Sequence, residues 1–531
     1  MKHHSLITIF GIALANQALA LELELPTVLS DHMILQREQA VPIWGKADAG
    51  ATVGVIFADQ KKQAVAGADG TWRIDLDAMP ASAEPRAMSI AAVLNGERAS
   101  MKINDVLVGE VWFAGGQSNM YRPFRMLVGK AVESQYEPIA EYLRKEAATA
   151  NDPLFRQFRA GKIVSPSEES FTGRGSWSKA VPGDVNEFCG TSYFFGRELR
   201  QKLDVPVAII ACNLGATRIE PWIAPASFPK GEFEDGLKSL KERLDGWDDD
   251  AEREKYKQAM AKWEQSKKGK APTKPEDPAQ DKQLRGALYN GMVRPIIPYA
   301  IKGAIWYQGE SNTKHNPAQY GERLTALIDG WRSAWGQEHL YFYWCELASY
   351  KQAPDEPVRD EHGHAVLRFS MQDALTLPDT GMAVLLDIGE ARDVHPKNKV
   401  DAGKRLSLWA LKQAYGKDLV SSGPLFKDAR VSGKQMEITF DHAGSGLMVG
   451  HKHLLEPTKE VDEPLKRFRI RGADEKWKWA EAKITGKDTI VVWHDEIPKP
   501  VEVRYAWSAN PEGANLYNKE RLPASGFKTA D

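Results

Sequence analysis

Between residues 106 and 416 the chain alternates continuous apolar runs with segments of helical period, and this alternation limits the fold more than any other feature. A strand buried on both faces reads as a continuous apolar run, because helices cover both faces of a parallel sheet. The apolar runs are Val106–Ala114, Val207–Cys212, Ile301–Tyr307, Tyr341–Cys345 and Met382–Asp387. The pattern predicts an α/β domain with a doubly wound parallel sheet, whose ligands bind beyond the carboxyl ends of the strands.

The first of these strands ends in a Gly-Gly-Gln-Ser turn at residues 115–118. A serine hydroxyl at such an exit stands clear of the backbone, and it becomes a nucleophile when a histidine reaches it. His395 follows the last apolar run, beside Pro396 and just ahead of a predicted helix, so it is the expected base. His315 is the other histidine considered for that role. The pairing of Ser118 with His395 predicts a serine esterase.

Both ends of the chain have a different texture, with short alternating segments separated by turns. Alternation places one face of a strand on a core and the other in water, so residues 21–104 and 421–531 are predicted to form β-sandwich-like domains. They flank a catalytic domain at residues 105–420. Within it, the heavily charged residues 229–285 predict an exposed helical insertion followed by a flexible linker, with a partner-binding module as the alternative.

The first twenty residues predict export from the cytoplasm. Basic residues precede an apolar stretch at Leu6–Ala15, and small residues at 18–20 then suit cleavage, so residues 1–20 are a predicted signal peptide of a periplasmic or secreted protein. No other segment approaches the ~20 apolar residues of a membrane span. A formal charge of −2 argues against a nucleic-acid partner. The three cysteines show no paired spacing and are predicted to be buried free thiols.

Four ordered blocks carry a family resemblance. They lie at residues 115–120, 213–222, 305–312 and 393–399, and they read Gly-Gly-Gln-Ser-Asn-Met, Asn-Leu-Gly-Ala-Thr-Arg-Ile-Glu-Pro-Trp, Ile-Trp-Tyr-Gln-Gly-Glu-Ser-Asn and Asp-Val-His-Pro-Lys-Asn-Lys. In this order they resemble the sialate O-acetylesterases, a family of SGNH hydrolases, and residues 504–524 resemble the C-terminal signature of that family. The resemblance implies a flavodoxin-like SGNH hydrolase domain and a carboxylic ester hydrolase.

The acid that orients the imidazole departs from the pattern of the wider group. In many SGNH enzymes an aspartate precedes the histidine by three positions, where this chain has Arg392. Asp393, two positions before His395, is therefore the predicted acid, with Asp387 or a backbone carbonyl as the alternative. Without such an acid the site would work as a Ser–His dyad.

Ester hydrolysis passes through a tetrahedral oxyanion, which needs hydrogen-bond donors aimed at the developing charge. The backbone N–H of Ser118 is the first predicted donor. Gly215 is the second, since its missing side chain lets its N–H approach a ligand. The third donor in SGNH enzymes is a side-chain amide after the next strand, and Gln308 is predicted to supply it, with Asn312 as the alternative.

Four further residues, Arg218, Glu220, Trp222 and Glu310, are predicted to line the sugar pocket, and Glu310 also to hydrogen-bond the loop that presents Gln308. A pair of carboxylates including Glu310 would suit a glycosidase. That hypothesis leaves the Gly-Gly-Gln-Ser strand exit unexplained.

Taken with the resemblance, these residues predict hydrolysis of O-acetyl esters on sialic acids through an acetyl-serine intermediate. Another acetylated glycan, such as xylan or pectin, is the alternative substrate. A carbohydrate-binding protein with a degenerate site is the alternative from another class. No phosphate-binding loop, metal-ligand cluster or nucleotide fingerprint appears in the sequence, so no cofactor and no metal are expected. The oligomeric state stays open.

Overall fold

The structure is a computed structural model that describes residues 21–357 and 363–530. The predicted signal peptide lies outside the described residues. The strands, numbered along the chain, are β1 (Leu23–Glu24), β2 (Ile34–Gln36), β3 (Val41–Ala47), β4 (Thr52–Phe57), β5 (Gln60–Val65), β6 (Thr71–Leu76), β7 (Ser82–Leu94), β8 (Glu97–Gly116), β9 (Asp152–Ala160), β10 (Gly175–Ala180), β11 (Val207–Asn213), β12 (Gly303–Tyr307), β13 (Tyr341–Cys345), β14 (Thr380–Ala383), β15 (Leu425–Ser432), β16 (Gln435–Asp441), β17 (Leu447–His451), β18 (Lys459–Glu460), β19 (Phe468–Arg471), β20 (Trp477–Trp479), β21 (Glu481–Ile484), β22 (Thr489–Trp493), β23 (Glu502–Tyr505), β24 (Leu516–Asn518) and β25 (Phe527–Lys528). The α-helices are α1 (Ser118–Tyr121), α2 (Phe124–Leu127), α3 (Glu137–Thr149), α4 (Gly190–Leu203), α5 (Glu232–Asp245), α6 (Asp249–Ser266), α7 (Tyr320–Trp335), α8 (Gly363–Met371) and α9 (Lys399–Trp409).

The central sheet has the strand order β10-β9-β11-β8-β12-β13-β14. All neighbours from β9 to β14 along this path pair in parallel, whereas β10 is antiparallel to β9 at the edge. Helices cover both faces. On one face the ring of Trp112 in β8 lies 5.1 Å from that of Phe195 in α4, and on the other Phe113 lies 4.9 Å from Trp331 in α7. The prediction of an α/β fold is confirmed.

Strand β8 belongs to two layers of the molecule. Its first half pairs with β7 of the N-terminal β region and is largely exposed. Residues 106–116 are buried throughout; within them, residues 110–116 pair with β11 and residues 112–116 with β12. The expected domain boundary between residues 104 and 105 therefore falls inside one continuous strand. Strand β8 thus joins the N-terminal region to the central sheet, and its buried end leads into the serine turn.

Two strands at one end of the central sheet were not expected from the sequence. Strands β9 and β10 lie within residues 121–186, where the sequence has few periodic signals. Arg156 on β9 is buried and donates to the side chain and backbone oxygens of Asp105. A buried arginine interrupts the apolar pattern that marks a strand, because its charge is compensated by a partner 51 residues away.

The charged insertion forms two helices, α5 and α6, as expected from its helical stretch. No residue of α6 is buried, and Trp247 lies between the two helices rather than within one. Cys189, Cys212 and Cys345 are buried free thiols, as predicted. Within the described ranges, no helix combines the length and the apolar character that crossing a bilayer requires.

The C-terminal region consists of three small sheets, with the orders β15-β16-β22-β21, β18-β17-β24 and β20-β19-β23-β25. It packs against the central domain through buried polar contacts. Arg368 on α8 donates to the carbonyl oxygens of Ser508 and Ala509 at 2.8 and 3.0 Å. Ser525 donates to Glu346, the residue after β13, at 2.6 Å. The final segment is therefore bound to the central domain.

The buried Glu346 carboxylate makes stability depend on pH. Burial raises the pKa of Glu346 to about 7, and its second oxygen has no hydrogen-bond partner. This folded-state pKa exceeds the ordinary value of about 4.3. The contribution of protonated Glu346 to folding stability is therefore complete below pH ~4, and it is lost as pH rises through about 7.

We expect Glu346→Gln to raise the melting temperature at pH 8.5 by about 3–6 °C relative to the unsubstituted protein, and to change it little at pH 5. Thermal melts at both pH values, with the exposed Glu481→Gln as control, check this; an equal shift at both pH values contradicts it.

Candidate active site

Ser118 is placed by a close approach between the ends of β8 and β12. Gly116 has φ 134° and leaves no room for a side chain, because a Cβ there would collide with the carbonyl oxygen of Tyr307. The next residue, Gln117, donates its backbone N–H to that same carbonyl at 3.0 Å. The chain then turns directly into α1, and Ser118 stands half-buried at its first position.

The structure brings the predicted base to the predicted nucleophile. His395 Nε2 lies 2.9 Å from Ser118 Oγ, although the two residues are 277 positions apart. The loop that carries His395 precedes α9 and is fastened by Lys397, which donates through Nζ to the carbonyls of Leu127 and Gly129 at 3.0 and 2.9 Å. His315 is exposed on the loop after β12. The contact is that of a serine hydroxyl with a general base.

Two groups compete for the other nitrogen of the imidazole. Asp393 Oδ1 lies 3.4 Å from His395 Nδ1, and Arg122 Nη2 lies 3.0 Å from the same atom. An N–H at Nδ1 can donate to the carboxylate, but only a bare Nδ1 can accept from the guanidinium. Productive catalysis needs the first arrangement, because Nε2 must be bare to take the serine proton. Arg122 therefore has to give way to Asp393 when the base acts.

Asp393 remains available as the orienting acid. It also accepts from the backbone N–H of His395 at 2.9 Å. Burial works to raise the pKa of Asp393, but the hydrogen bonds from His395 outweigh it and hold that pKa below its usual value. The alternative, Asp387, is occupied elsewhere: it pairs with Arg405 at 2.6 and 2.8 Å and accepts from Tyr517. Among these two carboxylates the geometry favours Asp393.

A buried polar cluster links the serine turn to the histidine loop. Asn119 donates through Nδ2 to Glu310 and to the carbonyl of Val394 at 3.0 Å, and it accepts from Lys399 Nζ at 2.5 Å. Gln117 is a second donor to Glu310. Burial lowers the pKa of Lys399 to about 8 and raises that of Glu310 above its usual value. Because Asn119 bonds the residue next to His395, the cluster sets the distance between nucleophile and base.

Sequence reasoning assigned no role to Asn119, Lys399 or Arg122. A signal was available for the first two, since Asn119 lies in the block at residues 115–120 and Lys399 in the block at residues 393–399. Arg122 lies outside every block, and only the fold places its guanidinium beside His395.

Of the predicted oxyanion donors, the two backbone N–H groups are free. Gly215 lies beside the nucleophile, since a Cβ on Gly215 would stand 3.6 Å from the Cβ of Ser118. In the part of the chain that the structure describes, its N–H has no hydrogen-bond acceptor, and neither has that of Ser118. Both N–H groups are therefore free to receive an oxyanion.

The side-chain amides of Gln308 and Asn312, predicted as a third donor, already donate to other groups of the protein. Gln308 is fully buried, and its Nε2 donates to Asn312 Oδ1 at 2.8 Å and to the carbonyl of Thr217 at 3.0 Å, which takes up both hydrogens. The Asn312 amide donates to Glu220 instead. In this arrangement neither amide is an open donor, and both brace the loops around the site, because buried amides must satisfy their own hydrogen bonds first.

The four predicted pocket residues differ in how free their side chains are to contact a ligand. Trp222 is fully buried, with its Nε1 donating to Thr217 Oγ1 at 3.1 Å, so it is a core residue and cannot stack on a sugar. Glu220 is occupied by Asn312, and Glu310 by the cluster around Asn119. Arg218 is half-buried, with its Nε at 3.4 Å from Gln283 Oε1. Of the four, Arg218 keeps the greatest freedom to meet a ligand.

Comparison with known proteins finds similar carbohydrate esterases. A family described as carbohydrate esterase, sialic acid-specific acetylesterase, matches residues 108–387, more than half of the chain. The sialate O-acetylesterase of Rattus norvegicus is 26% identical over 98% of this chain and 97% of its own length. That of Homo sapiens is 25% identical over 97% of this chain and 94% of its own length.

A solved structure is similar along the whole chain. The crystal structure of a carbohydrate acetylesterase from Xanthomonas citri superposes with a TM-score of 0.77 at 34% sequence identity, and it covers 96% of this chain and 100% of that one. The matched family region contains the serine turn, the loop after β11 and the loop after β12, and it ends at Asp387, just before the histidine loop. The chain therefore belongs to the carbohydrate esterase family of sialic acid-specific acetylesterases.

Proposed function

We propose that this protein is a sialate O-acetylesterase that removes O-acetyl groups from sialic acids through an acetyl-Ser118 intermediate. The observation that carries the proposal is the 2.9 Å contact between Ser118 Oγ and His395 Nε2 beside two open backbone N–H groups. A binding protein with a degenerate site has no need of this contact. The full-length sialate O-acetylesterase relatives support the choice of sugar.

The reaction follows from the positions of these groups. His395 Nε2 takes the hydroxyl proton as Ser118 Oγ attacks the acetyl carbonyl, and the carbonyl oxygen becomes an oxyanion held by the N–H groups of Ser118 and Gly215. His395 then gives its proton to the departing sugar hydroxyl. In the second half, His395 removes a proton from water, which attacks the acetyl-serine, and acetate leaves as the Ser118 hydroxyl reforms. Asp393 stabilises the imidazolium in both halves.

We also propose that the central domain is a flavodoxin-like SGNH hydrolase domain. Strands β11, β8, β12, β13 and β14 are consecutive neighbours in the sheet. Numbered along the chain, they follow the order 2-1-3-4-5, which is the flavodoxin-like order of a doubly wound sheet. In such a sheet ligands bind where the strand order reverses, beyond the carboxyl ends of the first and third strands. Ser118 and the loop after β12 lie at that point.

Arg122 supplies a cation that an acidic sugar requires. Arg122 is half-buried, with its guanidinium beside His395, and within residues 21–357 and 363–530 it forms no ion pair with a carboxylate. Sialic acids carry a carboxylate, which a guanidinium binds in bidentate fashion. Binding of that carboxylate would draw Arg122 away from His395 Nδ1 and leave Nδ1 to Asp393.

Export remains part of the proposal, because residues 1–20 have the charge, apolar core and small residues of a signal peptide. Acetylated glycans of other cells are met outside the cytoplasm, so export and substrate agree.

Replacing the nucleophile tests the chemistry. We expect Ser118→Ala to lower kcat on 4-nitrophenyl acetate by at least about a thousandfold, since among the described residues no other hydroxyl is hydrogen-bonded to His395. The melting temperature should stay unchanged, because the hydroxyl is half-buried and the alanine fits. The exposed Ser333→Ala in α7 serves as control. Retention of most turnover by Ser118→Ala would reject the assignment.

Replacing the acid tests the triad. We expect Asp393→Asn to lower kcat by about 10–100-fold, a smaller loss than in tightly bonded triads, because Oδ1 lies 3.4 Å from Nδ1 and Arg122 competes for that nitrogen. Arg392→Gln, at the position where many SGNH enzymes have the aspartate, should leave kcat within about twofold. A loss below threefold for Asp393→Asn points to a Ser–His dyad instead.

Acetate release identifies the sugar. The purified protein should release acetate from O-acetylated sialic acid faster than from acetylated xylan or pectin, and Arg122→Met should lower kcat/KM on the sialic acid by about 10–100-fold, the cost of one charged hydrogen-bonded contact. The same variant should change kcat/KM on neutral 4-nitrophenyl acetate by less than threefold. Arg125→Met, three residues later in the chain, is the matched control. Faster release from xylan or pectin would identify a neutral or uronic glycan as the substrate.

A further inference from the structure

The charged insertion of residues 229–285 ends at the oxyanion loop, which we define as residues 214–218. This loop leaves β11 and carries the N–H of Gly215 past Ser118. It is exposed at Ala216, which adopts φ 55°, a left-handed conformation that is unfavourable for a residue with a side chain. A short, exposed and strained loop keeps one shape only when other groups hold it.

Two side chains of the insertion hold the polar backbone groups of this loop. Lys282 Nζ donates to the carbonyl of Gly215 at 2.8 Å. Gln283 donates through Nε2 to the carbonyl of Ala216 at 2.7 Å, and its Oε1 accepts from the N–H of Arg218 at 2.9 Å. Three of the five loop residues are thus bonded to two adjacent residues that lie more than 60 positions away along the chain.

The turn that carries these side chains is itself anchored. Asp281 accepts from the Gln283 N–H at 3.0 Å and pairs with Arg243 of α5 at 3.2 Å. Glu232, at the start of α5, pairs with Arg285 at 3.1 Å and with Arg323 of α7 at 2.9 Å. The first helix of the insertion therefore fixes the turn to the central domain, whereas the exposed α6 takes no part in these contacts.

We propose that Lys282 and Gln283 are positioning residues that hold the Gly215 N–H where the oxyanion forms, so that the insertion is part of the catalytic apparatus. This inference rests on the proposed esterase function and adds a role to the insertion. Fixing the carbonyl of Gly215 limits rotation of the residue whose N–H faces the substrate. A donor that is already aimed costs no reorganisation during the reaction.

The role predicts a defect in the chemical step. Loss of one oxyanion donor lowers kcat by about 10²–10³-fold in other serine hydrolases. A loosened donor should cost less, so we expect Lys282→Met and Gln283→Glu each to lower kcat on 4-nitrophenyl acetate by about 10–30-fold, with KM within about twofold. Gln283→Glu keeps an acceptor for Arg218 but removes the donor to Ala216. Lys282→Arg, which retains a donor, should recover most of the loss.

Controls separate positioning from folding and from substrate binding. Lys274→Met removes an exposed lysine of the same insertion and should leave kcat unchanged. Melting temperatures of all variants are measured, because a merely structural role would lower kcat only in step with stability. Kinetics on acetylated sialic acid are measured in parallel, because a lysine that contacted the sugar would raise KM there and leave kcat on 4-nitrophenyl acetate intact.

The outcomes distinguish the positioning role of Lys282 and Gln283 from the proposed esterase function on which it rests. A fall in kcat at unchanged KM and unchanged melting temperature, with recovery in Lys282→Arg, supports positioning. Normal kcat in both Lys282→Met and Gln283→Glu overturns it, while Ser118→Ala remains inactive and the esterase assignment stands. If Ser118→Ala is itself active, the esterase assignment fails, and any effect of Lys282 must have another origin.

Discussion

The chemistry proposed for this enzyme depends on one contact, the 2.9 Å approach of Ser118 Oγ to His395 Nε2. Each partner is held by packing that has little freedom. The serine turn lies against the carbonyl of Tyr307 because Gly116 has no side chain, and the histidine loop is fastened by Lys397 to the carbonyls after α2. Backbone atoms on both sides thus set the position of the reactive pair, which is why a strained exit from a buried strand suits a nucleophile.

Two buried charged residues, Lys399 and Glu310, lie close to this contact. Lys399 is buried between Asn119 and the ring of Tyr307, and its ammonium lies 5.3 Å from the ring centroid. Its partner in the cluster, Glu310, accepts from the two residues on either side of Ser118. A buried ammonium and a buried carboxylate compensate each other only when both are hydrogen-bonded, so the cluster tolerates little displacement. Because Asn119 is bonded both to this cluster and to the histidine loop, the cluster also restricts the positions of Ser118 and His395.

The elements with unbroken apolar runs could be predicted from the sequence. Strand β13 has the predicted limits, Tyr341–Cys345, and β11 and β12 differ from expectation by only a few residues. Strand β9 could not be found in this way, because its buried Arg156 is compensated by a distant partner. Within the site, the structure brings the predicted residues Ser118, His395 and Gly215 together, and the sequence could point to them because a glycine turn, a histidine beside a proline and a strand exit are local features. Trp222 and Gln308 were misplaced, because whether a tryptophan faces a ligand or the core is decided by its neighbours in space.

The sequence by itself determined the α/β class, the strand ends at which chemistry can occur, and the residue types of a serine esterase. Each of these follows from a short stretch of chain, through its hydrophobic periodicity, its turn residues or its reactive side chains. Only the tertiary structure decided which nitrogen of His395 meets Ser118, that Arg122 contests the other nitrogen, and that the insertion returns to the oxyanion loop. These facts depend on distances between residues that are far apart in the chain, and such distances arise from the packing of the sheet and its helices, which no local pattern contains.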